Sequence, residues 1–210
     1  MPQGMRKTYF NVTNTYVFQK VLIILFPFRH KAWQRSVMRD TAGQSCGFQP
    51  PRHDLNSPDL YIPLMAATTY ILLVGMILGL RNAFHPKQLG VTATGAVAFI
   101  VCELVLVKLG AYLLSLSSDV FILDMLAIIG YNFIPLIVTM SVDLFFGRMA
   151  KWMAFLYCGL AMGFFMLRSL RYSFLPDSSS PLVVNQRRTR VLFLFGVVCV
   201  QILCSCLLLV

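Results

Sequence analysis

Residues 61–80 read YIPLMAATTYILLVGMILGL, and no charged side chain stands between Asp59 and Arg81. About 20 predominantly apolar residues are what a helix needs to cross a hydrocarbon core of about 30 Å. The whole chain has the same character, since 58% of its 210 residues are hydrophobic and 12% are charged. Soluble domains carry about 25% charged residues. The composition therefore excludes a soluble globular domain and a disordered chain, and it predicts a protein that crosses a membrane repeatedly.

Apolar runs of similar length follow this stretch along the rest of the chain. The predicted spans are, approximately, residues 61–80, 91–116, 121–142, 149–167 and 191–210. The fold class is therefore predicted to be all-α, a bundle of five transmembrane helices in residues 61–210 after an N-terminal segment, residues 1–60. Short connections between the middle spans favour antiparallel neighbours.

The distribution of basic residues predicts the orientation in the membrane. With five spans, thirteen Lys and Arg lie on the side of the N-terminus and four on the other side. Basic residues concentrate in cytoplasmic loops, so we expect a cytosolic N-terminus and a C-terminus on the lumenal or outer face. The net charge of +10 then indicates attraction to anionic lipid at the cytosolic face, not to nucleic acid.

The N-terminal segment contains a mixed apolar and aromatic stretch, Tyr9 to Phe28, in which Pro27 should end any helix. Lys31, Arg35 and Arg39 follow at intervals of four residues, and a helix would place them on one face. Such a segment would lie at the headgroup level over anionic lipid. Basic residues that simply flank a membrane-associated segment, without binding a specific lipid, explain the same pattern, and we favour this interpretation.

Apart from Lys151, which marks the start of the fourth span, three charged residues lie within the predicted spans: Glu103, Lys108 and Asp124. A charge facing lipid is costly, so each should face protein or water. A proton or ion pathway is one interpretation, and an interhelical polar contact is the other. For Lys108 and Asp124 we favour a polar contact or snorkelling to the interface. For Glu103 we favour neither the pathway nor the polar contact.

No catalytic motif is present: there is no GxSxG, HExxH, Walker or dinucleotide-binding pattern. The histidines His30, His53 and His85 form no metal-binding pair at helical spacing. We therefore predict no cofactor, no metal and no enzymatic activity.

Two glycine pairs have the spacing that lets helices approach closely, Gly75 with Gly79 and Gly159 with Gly163. Contact with a partner subunit is one interpretation. Packing inside the bundle is the other, and we favour it.

The segment DLNSPDLYIP, residues 54–63, leads into the first span. Pro58 and Pro63 stiffen it, Asp59 suits a helix N-terminus, and Tyr61 suits the membrane interface. These residues predict a rigid cytosolic collar above the first helix.

The chain resembles the Yip-interacting-factor (Yif) family, within the Yip group of five-span Golgi membrane proteins. The resemblance runs from about residue 9 to residue 171. It is carried by Tyr9-Phe10, Tyr16-Val17, Leu25-Phe26-Pro27-Phe28, His30, Trp33, Asp54 through Pro63, Met65-Ala66, Thr69-Tyr70-Ile71-Leu72, Leu89-Gly90, Glu103, Leu123-Asp124 and Gly130-Tyr131. Two departures stand out. Only eight residues precede Tyr9, where relatives carry a longer tail, and Asn132 stands where relatives often have lysine.

The resemblance implies a role in vesicle transport between the endoplasmic reticulum and the Golgi. It implies a heteromer with a Yip-type membrane protein and contacts with Rab GTPases or coat components. The predicted partner-binding residues are Asp59, Leu60, Tyr61, Pro63, Glu103, Gly130 and Tyr131. A small transporter or proton-coupled channel that uses Glu103 and Asp124 is the alternative.

Overall fold

The computed structural model describes residues 9–31, 33–39, 45–49, 51–52, 54–113, 122–174 and 182–209. Its helices are α1 (Asn14–Leu25), α2 (Tyr61–Leu80), α3 (Pro86–Leu113), α4 (Ile122–Gly130), α5 (Phe133–Phe174) and α6 (Leu182–Leu207). Two short strands, β1 (Val37–Arg39) and β2 (Ser45–Phe48), form an antiparallel ribbon. The prediction of a helical membrane protein is confirmed, with this ribbon as a small departure from an all-α chain.

Three helical stretches among the described residues are long and apolar enough to cross a membrane. They are Tyr61–Leu80, Pro86–Tyr112 and Ile122–Leu170, and Asn14–Leu25 and Val191–Leu207 are shorter apolar helices. The predicted boundaries of the first span match α2. The count of five spans and the cytosolic N-terminus stay predictions.

The long helix α5 folds back on itself at Gly147. This residue has φ 81° and ψ −177°, a conformation that glycine adopts readily because it has no Cβ. The rings of Tyr131 and Phe165 lie 5.9 Å apart, although 34 residues of continuous helix would separate them by about 51 Å. We call residues 133–146 the first arm of α5 and residues 148–174 its second arm. The two arms run antiparallel.

The predicted third span, residues 121–142, is not one continuous helix. It is interrupted between α4 and α5 at Tyr131 and Asn132. Pro135 has no N–H to donate to the carbonyl of Tyr131, four residues before it. That carbonyl accepts from the N–H of Ile134 instead, at 3.1 Å.

Three helices extend beyond the predicted spans, because hydropathy marks the lipid boundary and not the end of a helix. Helix α3 begins at Pro86, between the first two predicted spans, since proline is well tolerated at the first position of a helix. The predicted polar loop 168–190 is helical at both ends, in the last turn of α5 and the first turns of α6. Its middle, residues 175–181, and the predicted turn at 117–120 lie outside the described residues.

The basic stretch after Pro27 is not helical, so the spacing of Lys31, Arg35 and Arg39 does not define a helix face. Helix α1 ends at Leu25 as predicted, and the 3-10 turn Pro27–Arg29 follows it. The backbone of Ser36 forms bonds outside any helix. Its N–H donates to the carboxylate of Asp54, and the Ser36 carbonyl accepts from the N–H of Gln49. These bonds extend the chain into β1.

Candidate functional site

The side chain of Asp59 is fully buried and connects three parts of the chain. Its Oδ1 accepts hydrogen bonds from the hydroxyl of Tyr131 at 2.6 Å and from the hydroxyl of Tyr16 at 3.2 Å. Its Oδ2 accepts from the N–H of Ile62 at 2.8 Å, which is the contact of a helix N-cap. Its own N–H donates to the Tyr131 hydroxyl at 2.9 Å. The predicted role of Asp59 at the start of α2 is confirmed.

Lys20 lies beside this carboxylate and is almost completely buried, with 2% of its surface exposed. Its ammonium donates to the carbonyls of Leu55 at 2.6 Å and Ser57 at 3.1 Å, and it lies 5.5 Å from the centre of the Tyr131 ring. Burial lowers the pKa of Lys20, and nearby carboxylates oppose the shift. We call Tyr16, Lys20, Ser57, Asp59 and Tyr131 the Asp59 cluster.

An ion pair forms a second connection between the N-terminal segment and the helices. The guanidinium of Arg35 binds Asp124, at the start of α4, with 2.9 Å between Nη1 and Oδ2. The hydroxyl of Tyr9 donates to the other oxygen of Asp124 at 2.7 Å, and burial and this bond raise the pKa of Tyr9. Arg35 also donates to the Ser57 hydroxyl at 3.3 Å. Asp124 therefore forms a polar contact within the chain, but its partners Arg35 and Tyr9 precede the first span, so the contact does not join two spans.

The loop before α2 is shaped by Asp54. Its carboxylate accepts from the N–H of Ser36 at 2.7 Å and from the N–H of Asn56 at 2.9 Å. The second bond closes a local turn of the type that aspartate favours. The amide of Asn56 also donates to the Gln34 carbonyl, and its oxygen lies 3.0 Å from Nε2 of His30. The predicted rigidity of this loop thus depends on hydrogen bonds as well as on proline.

Most of the predicted site residues meet around the Asp59 cluster. Pro63 packs against Gly130 so closely that a Cβ on the glycine would lie 2.6 Å from the Cβ of Pro63. The N–H of Leu60 donates to the Tyr9 carbonyl at 3.3 Å. Tyr61 is the first residue of α2 and is half-buried. Leu60, Pro63 and Gly130 therefore join α2 to α4 and to the N-terminal segment.

Burial limits what these residues can do directly. Asp59, Pro63, Gly130 and Tyr131 are all buried, so a partner protein cannot contact their side chains in this conformation. Their effect on a partner would pass through the position of the N-terminal segment. Binding of a partner through them stays a prediction.

Glu103 lies apart from this cluster, on the buried face of α3. It has 4% of its surface exposed, and Phe99 and Val107 lie one turn before and after it on the same face. Neither carboxylate oxygen has a hydrogen-bond partner among the described residues. The structure thus directs Glu103 into the bundle.

A second buried polar group lies on α6. The side-chain amide of Gln201 has no hydrogen-bond partner among the described residues. It lines a small cavity between α5 and α6, together with Asn132 and Ser205. Asn132 donates to the hydroxyl of Ser205 at 2.6 Å, so it forms a polar contact within the chain. Gln201 was not among the residues predicted from the sequence.

The glycine pair in the second arm of α5 packs inside the bundle, as we favoured. A Cβ on Gly163 would lie 2.7 Å from Val198, and one on Gly159 would lie 3.8 Å from Ile202. The other pair is divided: Gly75 lies against Leu89, while Gly79 has no heavy atom within 4 Å of an added Cβ.

Sequence reasoning missed the residues that hold Asp59 and Asp124 in place. Tyr16 and Lys20 are one helical turn apart, and Lys20 is the one charged residue between Tyr9 and Phe28. A lone charge in such a stretch signals a buried partner, and this signal was available. Nothing in the sequence indicated that Arg35 pairs with Asp124, 89 residues later.

No group of His, Cys, Asp and Glu that suits a metal ion occurs among the described residues. The fold and the site together define a helical membrane protein in which hydrogen bonds join the segment before the first long helix to the membrane domain.

Comparison with known proteins identifies the family. The chain belongs to the YIF1 family, whose model matches residues 1–209. It is 44% identical over 200 residues to the protein transport protein yif1 of Schizosaccharomyces pombe, covering 93% of this chain and 68% of that protein. It is 34% identical over 180 residues to the human protein YIF1B, covering 86% of this chain and 55% of that protein. No solved structure matches the chain.

A further relative is the protein transport protein YIF1 of Saccharomyces cerevisiae, 37% identical over 184 residues, with 82% of this chain and 55% of that protein covered. This chain thus spans about two thirds of the fission-yeast protein and little more than half of the other two. The expected resemblance to the Yif family is confirmed.

Proposed function

We propose that this chain is a non-enzymatic membrane scaffold in vesicle transport between the endoplasmic reticulum and the Golgi. It forms a heteromer with a Yip-type membrane protein and contacts Rab GTPases or coat components on the cytosolic side. The observation that carries the proposal is the family match over residues 1–209, together with two relatives that are named protein transport proteins.

The proposed topology has five spans: α2, α3, α4 with the first arm of α5, the second arm of α5, and α6. The reversal at Gly147 supports it, because it divides the longest apolar stretch into two antiparallel arms. The excess of basic residues on the N-terminal side supports a cytosolic N-terminus. The C-terminus is then lumenal.

The N-terminal segment supplies the cytosolic surface in this proposal. The Asp59 cluster and the Arg35–Asp124 ion pair fix its position relative to the spans. Its basic residues Lys31 and Arg52 are exposed, where they suit anionic lipid and an acidic protein surface. A cytosolic partner would therefore meet a surface whose position depends on the membrane domain.

Association with the membrane partner is proposed to involve Glu103. A buried carboxylate without a hydrogen bond is unfavourable in the membrane, and a partner that rearranges α3 could supply a donor. The same observation favours the alternative, a proton-coupled transporter. The pairing of Asp124 with Arg35 and Tyr9 weighs against that alternative, because both of its oxygens are already bound.

The test is affinity purification of the tagged protein at native abundance in mild detergent, followed by mass spectrometry. The proposal predicts a Yip-type membrane protein at near-stoichiometric amounts, with Rab proteins or coat components at lower amounts. Recovery of the chain alone, or only as its own oligomer, contradicts it. Glu103→Ala should reduce recovery of the membrane partner. Tyr112→Phe, at an exposed position on the same helix, should not.

The transporter alternative has its own assay. Reconstituted protein would show pH-dependent flux into liposomes, and Glu103→Gln would abolish that flux. We expect no flux above that of empty liposomes.

A further inference from the structure

Helix α1 buries its one charged residue and exposes large apolar side chains. Its buried residues are Tyr16, Lys20 and Ile24. Its exposed side chains include Phe18, with 66% of its surface exposed, and Leu22, with 41% exposed. The polar side chains of its exposed face, Asn14, Thr15 and Gln19, lie in its first two turns. The outer face of α1 is thus polar near its start and apolar toward its end, where it suits an apolar surrounding.

The end of α1 lies deep beside the second arm of α5. The hydroxyl of Tyr157 donates to the carbonyl of Leu25 at 3.1 Å, and the ring centres of Phe26 and Tyr157 are 6.1 Å apart. Tyr157 is ten residues after the reversal at Gly147, which corresponds to about 15 Å along the helix. That length is half of a hydrocarbon core of about 30 Å. In the proposed topology, Leu25 therefore lies near the middle of the bilayer.

The hydrogen bonds at this helix end suit a site without water. The last four carbonyls of a helix have no partner within it, and each unpaired group in hydrocarbon costs several kcal/mol. Here the Leu25 carbonyl accepts from Tyr157, and the Leu22 carbonyl accepts from the N–H of Phe26 at 2.8 Å. The Phe26 carbonyl accepts from the N–H of Arg29 at 3.4 Å, within the 3-10 turn. The turn and Tyr157 thus satisfy the carbonyls of Leu22, Leu25 and Phe26 without water.

After the turn, the chain returns toward the side from which it came. The ring of Phe28 lies 5.1 Å from that of Phe164, two turns closer than Tyr157 to the end of α5. The guanidinium of Arg168 then lies 5.8 Å from the ring centre of Trp33. Tryptophan and arginine are typical of the membrane interface. Arg29 is exposed, and its long side chain can extend its charge toward the headgroups.

We propose that α1 and the turn Pro27–Arg29 form a re-entrant segment that enters the leaflet on the N-terminal side and ends near the bilayer centre. Lipid acyl chains cover its outer face, Phe18, Leu22 and Phe26. Lipid is the occupant because this face continues the exposed apolar surface of Leu156 and Leu160 on the adjacent arm of α5. The identity of the leaflet as cytosolic rests on the proposed topology, but the depth of insertion does not depend on the transport function.

The test uses the full-length chain with a fluorescent amino acid at Leu22 and, in a second variant, at Phe18. Each protein is reconstituted alone into phosphatidylcholine vesicles that contain a nitroxide on either the acyl chain or the headgroup. Gln34, an exposed position after the turn, carries the probe in the control. The proposal predicts that acyl nitroxide causes the greater loss of fluorescence at Leu22, and headgroup nitroxide or aqueous iodide at Gln34.

Two results would overturn the proposal. Quenching of Leu22 and Phe18 by iodide as strong as that of Gln34 would place α1 in water. No quenching by either nitroxide or by iodide would mean that protein, and not lipid, covers this face. Phe18 is the more exposed position, so its variant gives the answer where a probe at Leu22 prevents folding. Neither result depends on whether a Yip-type partner is recovered, so failure of this proposal is distinct from failure of the proposed function.

Discussion

Replacing Tyr131 by phenylalanine removes one hydroxyl from the centre of the Asp59 cluster. That hydroxyl donates to Oδ1 of Asp59 at 2.6 Å and accepts from the N–H of the same residue at 2.9 Å. The ring would keep its contact with Phe165, 5.9 Å between centres. The variant therefore tests the hydrogen bonds with little change in apolar packing.

The cost follows from two separate losses. A hydrogen bond to a charged group contributes about 1.5–3 kcal/mol, and a buried N–H without a partner costs about 1–3 kcal/mol. The remaining bonds of Asp59, from Tyr16 and the N–H of Ile62, keep the carboxylate partly satisfied. We therefore expect a loss of about 3–4 kcal/mol in the free energy of unfolding. For a domain of this size, that corresponds to a fall in Tm on the order of 10 °C.

Thermal unfolding in mild detergent can be followed with a thiol-reactive dye, because Cys158 is buried in the folded protein, while the exposed Cys102 and Cys199 set the starting signal. The control is Tyr112→Phe, whose side chain is 80% exposed. Its Tm should equal that of the wild type. If Tyr131→Phe lowers Tm no more than this control, the hydroxyl does not hold Asp59 and the reasoning is refuted.

Three further predictions concern the same region. Gly130→Ala should lower Tm because its Cβ would lie 2.6 Å from Pro63, whereas Gly79→Ala, with no atom within 4 Å, should not; equal melting would contradict the close approach. Lys20→Met should lower the expression of folded protein, measured by size-exclusion chromatography, because two loop carbonyls lose a charged donor; an unchanged monodisperse peak would contradict this. Asp124→Asn should speed limited proteolysis of the N-terminal segment by weakening its ion pair, and a wild-type rate would show that the pair is dispensable.

The first long helix could be predicted from the sequence because its two ends are marked by charge. Asp59 and Arg81 enclose an uncharged stretch, and α2 occupies all of it except Leu60. The start of α6 could not be predicted in this way. Its first turns carry Arg187, Arg188 and Arg190. Arginine has nearly the same helix propensity as leucine, so the change from charged to apolar residues does not mark where this helix begins.

The candidate site was predicted in part. Asp59, Pro63, Gly130 and Tyr131 were selected from the sequence, and the structure brings them together. Their contacts with Tyr16 and Lys20 depend on where α1 packs, which its short apolar pattern does not specify. Helix α1 also conceals the site, because a buried Lys20 and an exposed Phe18 depart from the usual rule for burial.

The central structural claim is that the segment before α2 is joined to the membrane domain through Asp59 and Tyr131. A double-mutant cycle with Asp59→Ala and Tyr131→Phe, measured by reversible unfolding in detergent, tests it most directly. The account predicts a coupling energy between the two residues of at least about 1 kcal/mol. Additive effects of the two substitutions would contradict it, because they would show that the two side chains act independently.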